Sequence, residues 1–458
     1  MIESFDAIVI GTGQAGPALA VRLAQAGRKT VIVERNRFGG TCVNTGCIPT
    51  KTLIASARAA YVARRAADFG VDIDGSIRVD MKRVKIRKDD VVAQSTGGVE
   101  KWLRGTPNVA VIEGHAKFEN PRVVRVAERQ LTAPQIFINT GGRPARPPIG
   151  GLDRVRYLTS SSMMDVDFLP EHLIVVGGSY IGLEFAQMYR RFGSRVTVVE
   201  MAPRLIARED EHVSKAIQDV VENEGITVRI GAKCLSVEPR GDGIAINVSC
   251  EQEPREIVGS HLLLAVGRAP NSDDLGLDRA GVATNDKGFI NVDDHLATNV
   301  PGIFALGDVN GRGAFTHTSY NDYEIVADNL LDGGTRKVSD RFPVYALFTD
   351  PPLARAGMTQ REARESGRRV LIGRRPMARV GRARERSETQ GFMEVLVDGD
   401  TQKVVGAALL GIEADEAIHC IVDVMTAGAP YTAITHAVHI HPTVSELIPT
   451  VLGELKAL

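Results

Sequence analysis

The stretch Phe5-Asp-Ala-Ile-Val-Ile-Gly11-Thr-Gly13-Gln-Ala-Gly16 decides the fold, because its pattern recurs as His172-Leu-Ile-Val-Val-Gly177-Gly-Ser179-Tyr-Ile-Gly182. In each copy an apolar run that reads as a strand (6–11 and 172–176) enters a glycine-rich turn and opens a helical pattern (18–26 and 183–192). A second apolar run then ends on an acid, Thr30-Val-Ile-Val-Glu34 in one copy and Arg195-Val-Thr-Val-Val-Glu200 in the other. The acid stands 23 residues after the first glycine both times. A lone G-x-G-x-x-G is weak evidence. Strand, turn, helix and acid-ended strand in fixed order, twice, predict an α/β chain with two Rossmann-like dinucleotide-binding units.

The residue types follow from what a pyrophosphate needs. Gly11, Gly13 and Gly16, and later Gly177 and Gly182, let backbone N–H groups and a helix N-terminus approach the phosphates, while Glu34 and Glu200 can accept ribose hydroxyls. Ser179 stands where close approach is normally left to glycine, so weaker or slightly displaced binding is expected in the second copy. Glu200 favours NADH, because a carboxylate at that strand end repels an added 2′-phosphate; Arg204 and Arg195 lie close enough in sequence to leave NADPH open.

Between the copies lies Gly39-Gly40-Thr41-Cys42-Val-Asn-Thr-Gly46-Cys47-Ile-Pro49-Thr-Lys51, two cysteines in a glycine-rich turn. A dithiol can take up two electrons and pass them on by thiol–disulfide exchange. Cys47 precedes Pro49, a favoured first-turn residue, and 53–65 reads as helix, so Cys47 is expected near a positive helix end that favours thiolate. Gly46 and Pro49 are expected to supply the distortion that brings the sulfurs within bonding reach. A structural bridge or half a metal site fits less well: the chain opens on a strand instead of a secretory leader, and Cys234, Cys250 and Cys420 are isolated.

Composition sets outer limits. With 458 residues the chain is expected to hold several domains of about 100–200 residues each. A formal net charge of -1 gives no electrostatic case for nucleic acid. No apolar run approaches the ~18 residues of a membrane span, and a cytoplasmic protein is expected.

The dithiol stretch resembles the signature of the class I pyridine nucleotide-disulfide oxidoreductases, the flavoproteins that include dihydrolipoamide dehydrogenase, glutathione reductase and mercuric reductase. The resemblance implies FAD in the first nucleotide unit, with Gly40 and Thr41 contributing, and NADH or NADPH in the second. Ala297-Thr-Asn-Val-Pro-Gly-Ile-Phe-Ala-Leu-Gly307-Asp308 is similar to the family's second FAD motif, and Thr140-Gly141-Gly-Arg-Pro144 and Ala265-Val-Gly267-Arg-Ala-Pro-Asn271 to its paired crossovers. Lys51 and Glu184 match the pair that flanks the reactive edge of the flavin. The implied domains are 1–150 (FAD, first part), 151–271 (NAD(P)), 272–340 (FAD, second part) and 341–458, an α+β dimerisation domain.

Within that last segment 391–397 and 404–410 read as strands, and 415–427 and 444–455 as helices. His436-Ala-Val-His439-Ile-His441-Pro-Thr-Val-Ser-Glu446 resembles the family motif whose histidine, supplied by the partner subunit, is the acid–base group for the substrate-facing cysteine. The implied reading is a homodimer with a shared active site, His441 as acid–base and Glu446 as its tautomer-fixing partner. No acidic or cysteine ligands cluster with the three histidines, which argues against a metal there. His317 and Tyr320 are candidates for the flavin or substrate channel, with packing as the alternative. The basic run over 374–386 reads as a solvated loop or an anion-attracting face.

The implied activity passes electrons from NAD(P)H through FAD to a Cys42–Cys47 disulfide and on to a small-molecule or protein disulfide. Reduction of mercury or copper ions, a dihydrolipoamide dehydrogenase component and a low-turnover flavin sensor are the alternatives.

Overall fold

The computed structural model describes residues 1–249 and 255–458. The first nucleotide unit is a parallel sheet of five strands in the order Ile303–Ala305, Gln135–Ile138, Ala7–Ile10, Thr30–Glu34, Val109–Glu113. Side chains alternate across it as the pleat demands. Ala7, Val9 and Ile32 pack on helices Ala15–Gln25 and Thr316–Leu331, whereas Ile8, Ile10, Val31 and Val33 pack on a small sheet carrying Phe118, Val124 and Leu131.

The second unit repeats this layering. Its parallel sheet runs Leu158–Thr159, His261–Leu264, His172–Val176, Arg195–Val199, Thr227–Arg229. Leu173 and Val175 face helix Tyr180–Phe192, while Ile174 and Val176 face an antiparallel sheet through Val237, Ile244 and Ile246. Both faces are covered, which is why these strands read as continuous apolar runs.

The chain leaves and re-enters the first unit through Gly142–Pro144 and Arg268–Pro270, which pair antiparallel as the two crossovers. It then adds Ile303–Ala305 to the edge of the first sheet. The C-terminal part is a six-stranded antiparallel sheet, in which Phe392–Asp398 and Val404–Leu410 form central strands. The whole is a mixed α/β chain with two Rossmann-like units and a C-terminal α+β domain.

Several local expectations shift. The helix expected over 53–65 begins at Cys47, because Gly46 (φ −123°, ψ −117°) ends the preceding turn and Pro49 fits the first helical turn. The helix expected over 415–427 is two pieces, Ala414–Ala417 and His419–Thr426, and that over 444–455 is a 3-10 turn, Ser445–Leu447, leading into Ile448–Gly453. The last residues instead pair as Lys456–Ala457 with strand Val370–Pro376. Among the described residues no helix is long and apolar enough to cross a membrane.

Candidate active site

The two dinucleotide loops and the dithiol open on one continuous cleft of about 2700 Å³. Gly11 (φ +102°) and Gly177 (φ +116°) hold a left-handed backbone, and a Cβ on either would overlap a carbonyl oxygen, of Asn139 or Ala265 respectively. Gly16 and Gly182 are equally constrained, since a Cβ on each would overlap the carbonyl of the first glycine of its own loop. Ser179 adopts φ −108°, extended backbone open to any residue, so the departure from glycine carries no backbone strain.

Each acid bonds its own loop. Glu34 accepts from the Thr12 N–H (2.9 Å), the Thr12 hydroxyl (2.5 Å) and the Asn36 N–H (2.8 Å). Glu200 accepts from the Gly178 N–H (2.6 Å) and the Ala202 N–H (2.7 Å). Arg195, expected near Glu200, opens the same strand at its other end. Five residues at about 3.3 Å each put roughly 16 Å between them, so Arg195 cannot serve a ribose at Glu200. Arg204 donates to the Ala207 carbonyl at 3.2 Å; Arg208, not Arg204, lines the cleft.

Asp308 sits in a 3-10 turn, Gly307–Asn310, just after the strand that re-enters the first sheet. Burial raises its carboxyl against the opposing effect of the Arg268 guanidinium, 3.6 Å away. Arg268 donates to the Gly142 carbonyl and to Thr41 Oγ1 (3.3 Å), yet its Nε is buried without a hydrogen-bond acceptor from the described residues. Thr140 and Asn271 lock the crossovers together, Thr140 Oγ1 donating to the Asn271 carbonyl at 2.7 Å and Asn271 Nδ2 to the Thr140 carbonyl at 2.9 Å. Gly40 (φ +61°) lies against Gly13, where a Cβ would come 2.8 Å from the Gly13 Cα. A glycine cradle, a strand-end acid and an orphaned guanidinium N–H fit a dinucleotide lying along the first loop towards the dithiol.

Cys42 lies in the short helix Gly40–Asn44 and Cys47 is the first residue of helix Cys47–Arg64. Two helices broken at Gly46, instead of one distorted helix, bring the sulfurs together; a Cβ on Gly46 would meet the Cys42 Cα at 3.2 Å. Pro49 lies in the first turn of the second of these helices. The thiols are free and hydrogen-bonded to each other. That bond pulls Cys47 down to about 6 against the effect of burial, with help from Thr316 and the Lys51 ammonium. The same bond, with burial, pushes Cys42 well above the ordinary thiol range. The bond thus shifts the two thiols in opposite directions, Cys47 down and Cys42 up.

Lys51 Nζ donates to both oxygens of Glu184, at 2.8 and 2.7 Å, across 133 residues of sequence. Glu184 is buried and also accepts the Phe348 N–H at 3.1 Å, and the Lys51 ammonium lies 4.3 Å from the Phe348 ring centroid. A buried carboxylate needs such partners, and here they hold a cation at the cleft wall. Nothing local in the sequence pointed to Phe348.

In the segment where the sequence marks His317 and Tyr320, the residue that reaches the dithiol is Thr316. Its hydroxyl is 3.0 Å from Cys47 Sγ. His317 lines the cleft, but its ring stacks on Phe315 (5.4 Å, 10°) and its Nε2 meets the Val344 carbonyl at 2.6 Å. Tyr320 does not line the cleft; it packs edge-on against Tyr323 at 5.0 Å. Behind the loop, Tyr345 donates to the fully buried Glu209 at 2.7 Å, and Glu209 pairs with the equally buried Arg355, tying the second unit to the C-terminal sheet. Breaking so buried a pair typically costs about 3–5 kcal/mol.

His441 Nδ1 and Glu446 Oε2 are 2.8 Å apart. The dyad is absent from the described lining of its own chain's cleft. The His441 side chain is 80% exposed, beside Val438 and Ile440, apolar side chains that are 100% and 79% exposed. In the basic run, Arg374 stacks on Phe392 (4.3 Å) and Arg382 donates to the Pro442 carbonyl (2.6 Å), so part of the run supports the histidine loop. Cys250 lies outside the described residues.

Residues 5–322 match the family model for the pyridine nucleotide-disulphide oxidoreductases, and residues 344–452 match that family's dimerisation domain. The chain belongs to this family. It is a flavoprotein disulfide reductase dependent on FAD and a pyridine nucleotide, and its dimerisation domain supports a homodimer. Its relatives include the probable pyridine nucleotide-disulfide oxidoreductase RclA of Escherichia coli, 35% identical over 99% of this chain and 100% of RclA. The dihydrolipoyl dehydrogenase of Thermus scotoductus is 33% identical over 97% of this chain and 96% of that protein. The mercuric reductase of Streptomyces lividans is 33% identical over 97% and 94%. A solved structure of the HOCl-induced flavoprotein disulfide reductase RclA matches with a TM-score of 0.89 at 35% identity, over 98% of this chain and 99% of that one.

Proposed function

We propose that this enzyme spends NADH to reduce a small-molecule or protein disulfide, with Cys42 as the attacking thiol and Cys47 as the thiolate held towards the flavin. The observation that carries this reading is the placement of the pair, Cys42 in the short helix before Gly46 and Cys47 as the first residue of an 18-residue helix, its sulfur 3.0 Å from the Thr316 hydroxyl. Bound FAD supplies the two-electron link between the nicotinamide nucleotide and the dithiol. Gly11, Gly13, Gly16, Glu34, Gly40, Thr41, Thr140, Gly141, Gly267 and Asp308 would hold it, with Lys51 and Glu184 at its reactive edge. Gly177, Gly182 and Glu200 would hold the nucleotide. The functional division of the chain follows as 1–150, 151–271, 272–340 and 341–458.

Cys42 keeps its proton and so needs a base before it can attack. His441 of the partner subunit is the proposed base, its Nδ1 held by Glu446 so that Nε2 is free to take the proton. The Cys42 sulfur attacks one sulfur of the substrate, the substrate S–S bond breaks, and the departing thiolate takes the proton from His441. Cys47 then attacks Cys42 in the mixed disulfide, which releases the second substrate thiolate and closes the Cys42–Cys47 bond. Two electrons have moved to the substrate.

NADH is favoured over NADPH because both Glu200 oxygens bind only one backbone N–H each, which leaves lone pairs for the two ribose hydroxyls. A reducing compartment, the cytoplasm, suits a dithiol that must be reduced to work. Copper reduction is a second reading, since the solved structures of RclA include a Cu(II) complex.

Three purified forms test the roles. The parent is expected to develop long-wavelength thiolate-to-flavin absorbance on two-electron reduction. Cys42→Ser is expected to show that band before any reductant, and Cys47→Ser not at all. A band that survives in Cys47→Ser contradicts the assignment. NADH turnover driven by Cu(II) but by no disulfide in a substrate panel would move the acceptor to the metal ion.

A further inference from the structure

Two helix N-termini converge on one sulfur atom. Cys47 is the first residue of an 18-residue helix, and Thr316 is the first residue of the 16-residue helix Thr316–Leu331, which arrives from the far end of the first nucleotide unit. The Thr316 hydroxyl lies 3.0 Å from Cys47 Sγ, well inside the 4.0 Å reach of a sulfur hydrogen bond. Threonine has one O–H to give, and a thiolate can only accept. We propose that Thr316 is a positioning residue that donates its hydroxyl proton to the Cys47 thiolate, and so selects Cys47 over Cys42 as the sulfur that carries the charge. The proposal rests on the dithiol roles proposed above.

The geometry favours this direction. A neutral Cys47 thiol has a proton of its own, so either group could donate to the other, whereas the thiolate can only accept, from Thr316 and from the Cys42 thiol together. Thr316 also acts on Cys42, and it opposes that thiol's upward displacement, so its net selectivity comes from being bonded at Cys47. The titratable and charged groups facing Cys47 are Cys42, Lys51 on its own helix, and Glu184 on helix Tyr180–Phe192. Glu184 is neutralised by Lys51 in a two-bond pair, and the neighbouring His317 turns its ring to the Val344 carbonyl. The Thr316 hydroxyl is thus the side-chain group outside the dithiol that is placed to give the sulfur a hydrogen bond. Its position 269 residues from Cys47 gives no clue in the sequence.

The sign of the pH effect follows. Cys47 is an acid whose value is drawn down to about 6, so its thiolate is present above that pH and is lost as the pH falls through it. Removing one donor to the charged form raises the midpoint, and a hydrogen bond to a charged group corresponds to a shift of about one to two pKa units.

The test uses flavin-loaded holoenzyme, reduced by two electrons, as parent, Thr316→Val, Thr316→Ala and Thr316→Ser. Long-wavelength absorbance is titrated against pH, and in parallel Cys47 alkylation by iodoacetamide is followed by peptide mass spectrometry. The expected result is an upward midpoint shift of about one unit or more in both Thr316→Val and Thr316→Ala, about tenfold less thiolate at a pH below the parent midpoint. Thr316→Ser is expected to restore the parent midpoint. An unmoved midpoint in whichever apolar variant retains flavin, or a serine variant that behaves like valine, overturns the proposal. Cys47→Ser separates the two levels. A band that persists there sinks the dithiol roles themselves, whereas a band lost there but unmoved by Thr316→Val sinks only the role of Thr316.

Discussion

The two nucleotide loops follow one backbone plan, and one of the side chains by which they differ has large consequences. In both, a strand-end glutamate accepts an N–H from the second loop residue and another from two residues beyond itself. In the first loop that second residue is Thr12, whose hydroxyl also bonds Glu34 and accepts the Gly39 N–H at 3.1 Å. In the second it is Gly178, where a Cβ would press on Leu205 and on Glu200 itself. The first loop is thus tied to its acid and to the start of the dithiol turn, and Glu34 is buried. The second keeps Glu200 part-exposed and less occupied. On the proposed assignment, the closed loop suits a resident cofactor and the open one a nucleotide that must exchange.

The comparison breaks most completely at the tight glycines. Gly16→Val is expected to yield protein without flavin, because the side chain would overlap the Gly11 carbonyl. Gly182→Val is expected to keep its flavin and remain reducible by dithionite while losing reduction by NADH. Flavin content and stopped-flow reduction of both variants check this. Flavin loss from Gly182→Val as well would mean that the loops are not independent sites.

The acids give a smaller and more informative difference. Glu34→Ala leaves the buried Thr12 donors, and the Asn36 N–H beside them, without their acceptor, so a loss of about 1–3 kcal/mol of stability is expected along with weaker flavin retention. Glu200→Ala is expected to leave the melting temperature within a degree or two, while the NADH over NADPH preference falls about tenfold, or ~1.4 kcal/mol. Thermal melts and nucleotide titrations distinguish them. A parent enzyme that prefers NADPH contradicts the role of Glu200 and directs attention to Arg208.

The mildest change is Ser179→Gly. With an extended backbone at this position and Ala265 where the first loop has Asn139 pressing on Gly13, the serine meets no crowding. A change in the Michaelis constant for NADH of less than about threefold is expected; a tenfold gain would show that the serine does displace the nucleotide.

Much of this was legible in the sequence because its signals are local. The glycine turns, the strand-end acids and the dithiol turn each fit within a few dozen residues, and backbone sterics at φ values reserved for glycine write them directly into composition. Closeness in sequence misled where a strand intervened, as with Arg195, carried roughly 16 Å from Glu200 by the extended chain. The helix read over 53–65 begins earlier, at Cys47, because the glycine-rich dithiol turn ahead of it hides the helical pattern even though Pro49 fits a first turn. Thr316 and Phe348 were invisible for a different reason. They reach Cys47 and Glu184 only through the docking of separate elements, 269 and 164 residues away, and neither residue type has an intrinsic chemistry that would mark it.

The central claim is that one working site is assembled from the Cys42–Cys47 pair of one subunit and the His441–Glu446 dyad of the other. His441→Gln is expected to leave reduction of the flavin by NADH intact and to slow the dithiol step by about 10²–10⁴. The direct measurement is disulfide reduction by verified heterodimers of a Cys42→Ser subunit with a His441→Gln subunit, each inactive as its own homodimer. If the residues meet across the interface, each heterodimer has one intact site and recovers about half the parent activity per dimer. Heterodimers with no more activity than either homodimer would contradict the shared site and confine His441 to its own subunit or to no catalytic part.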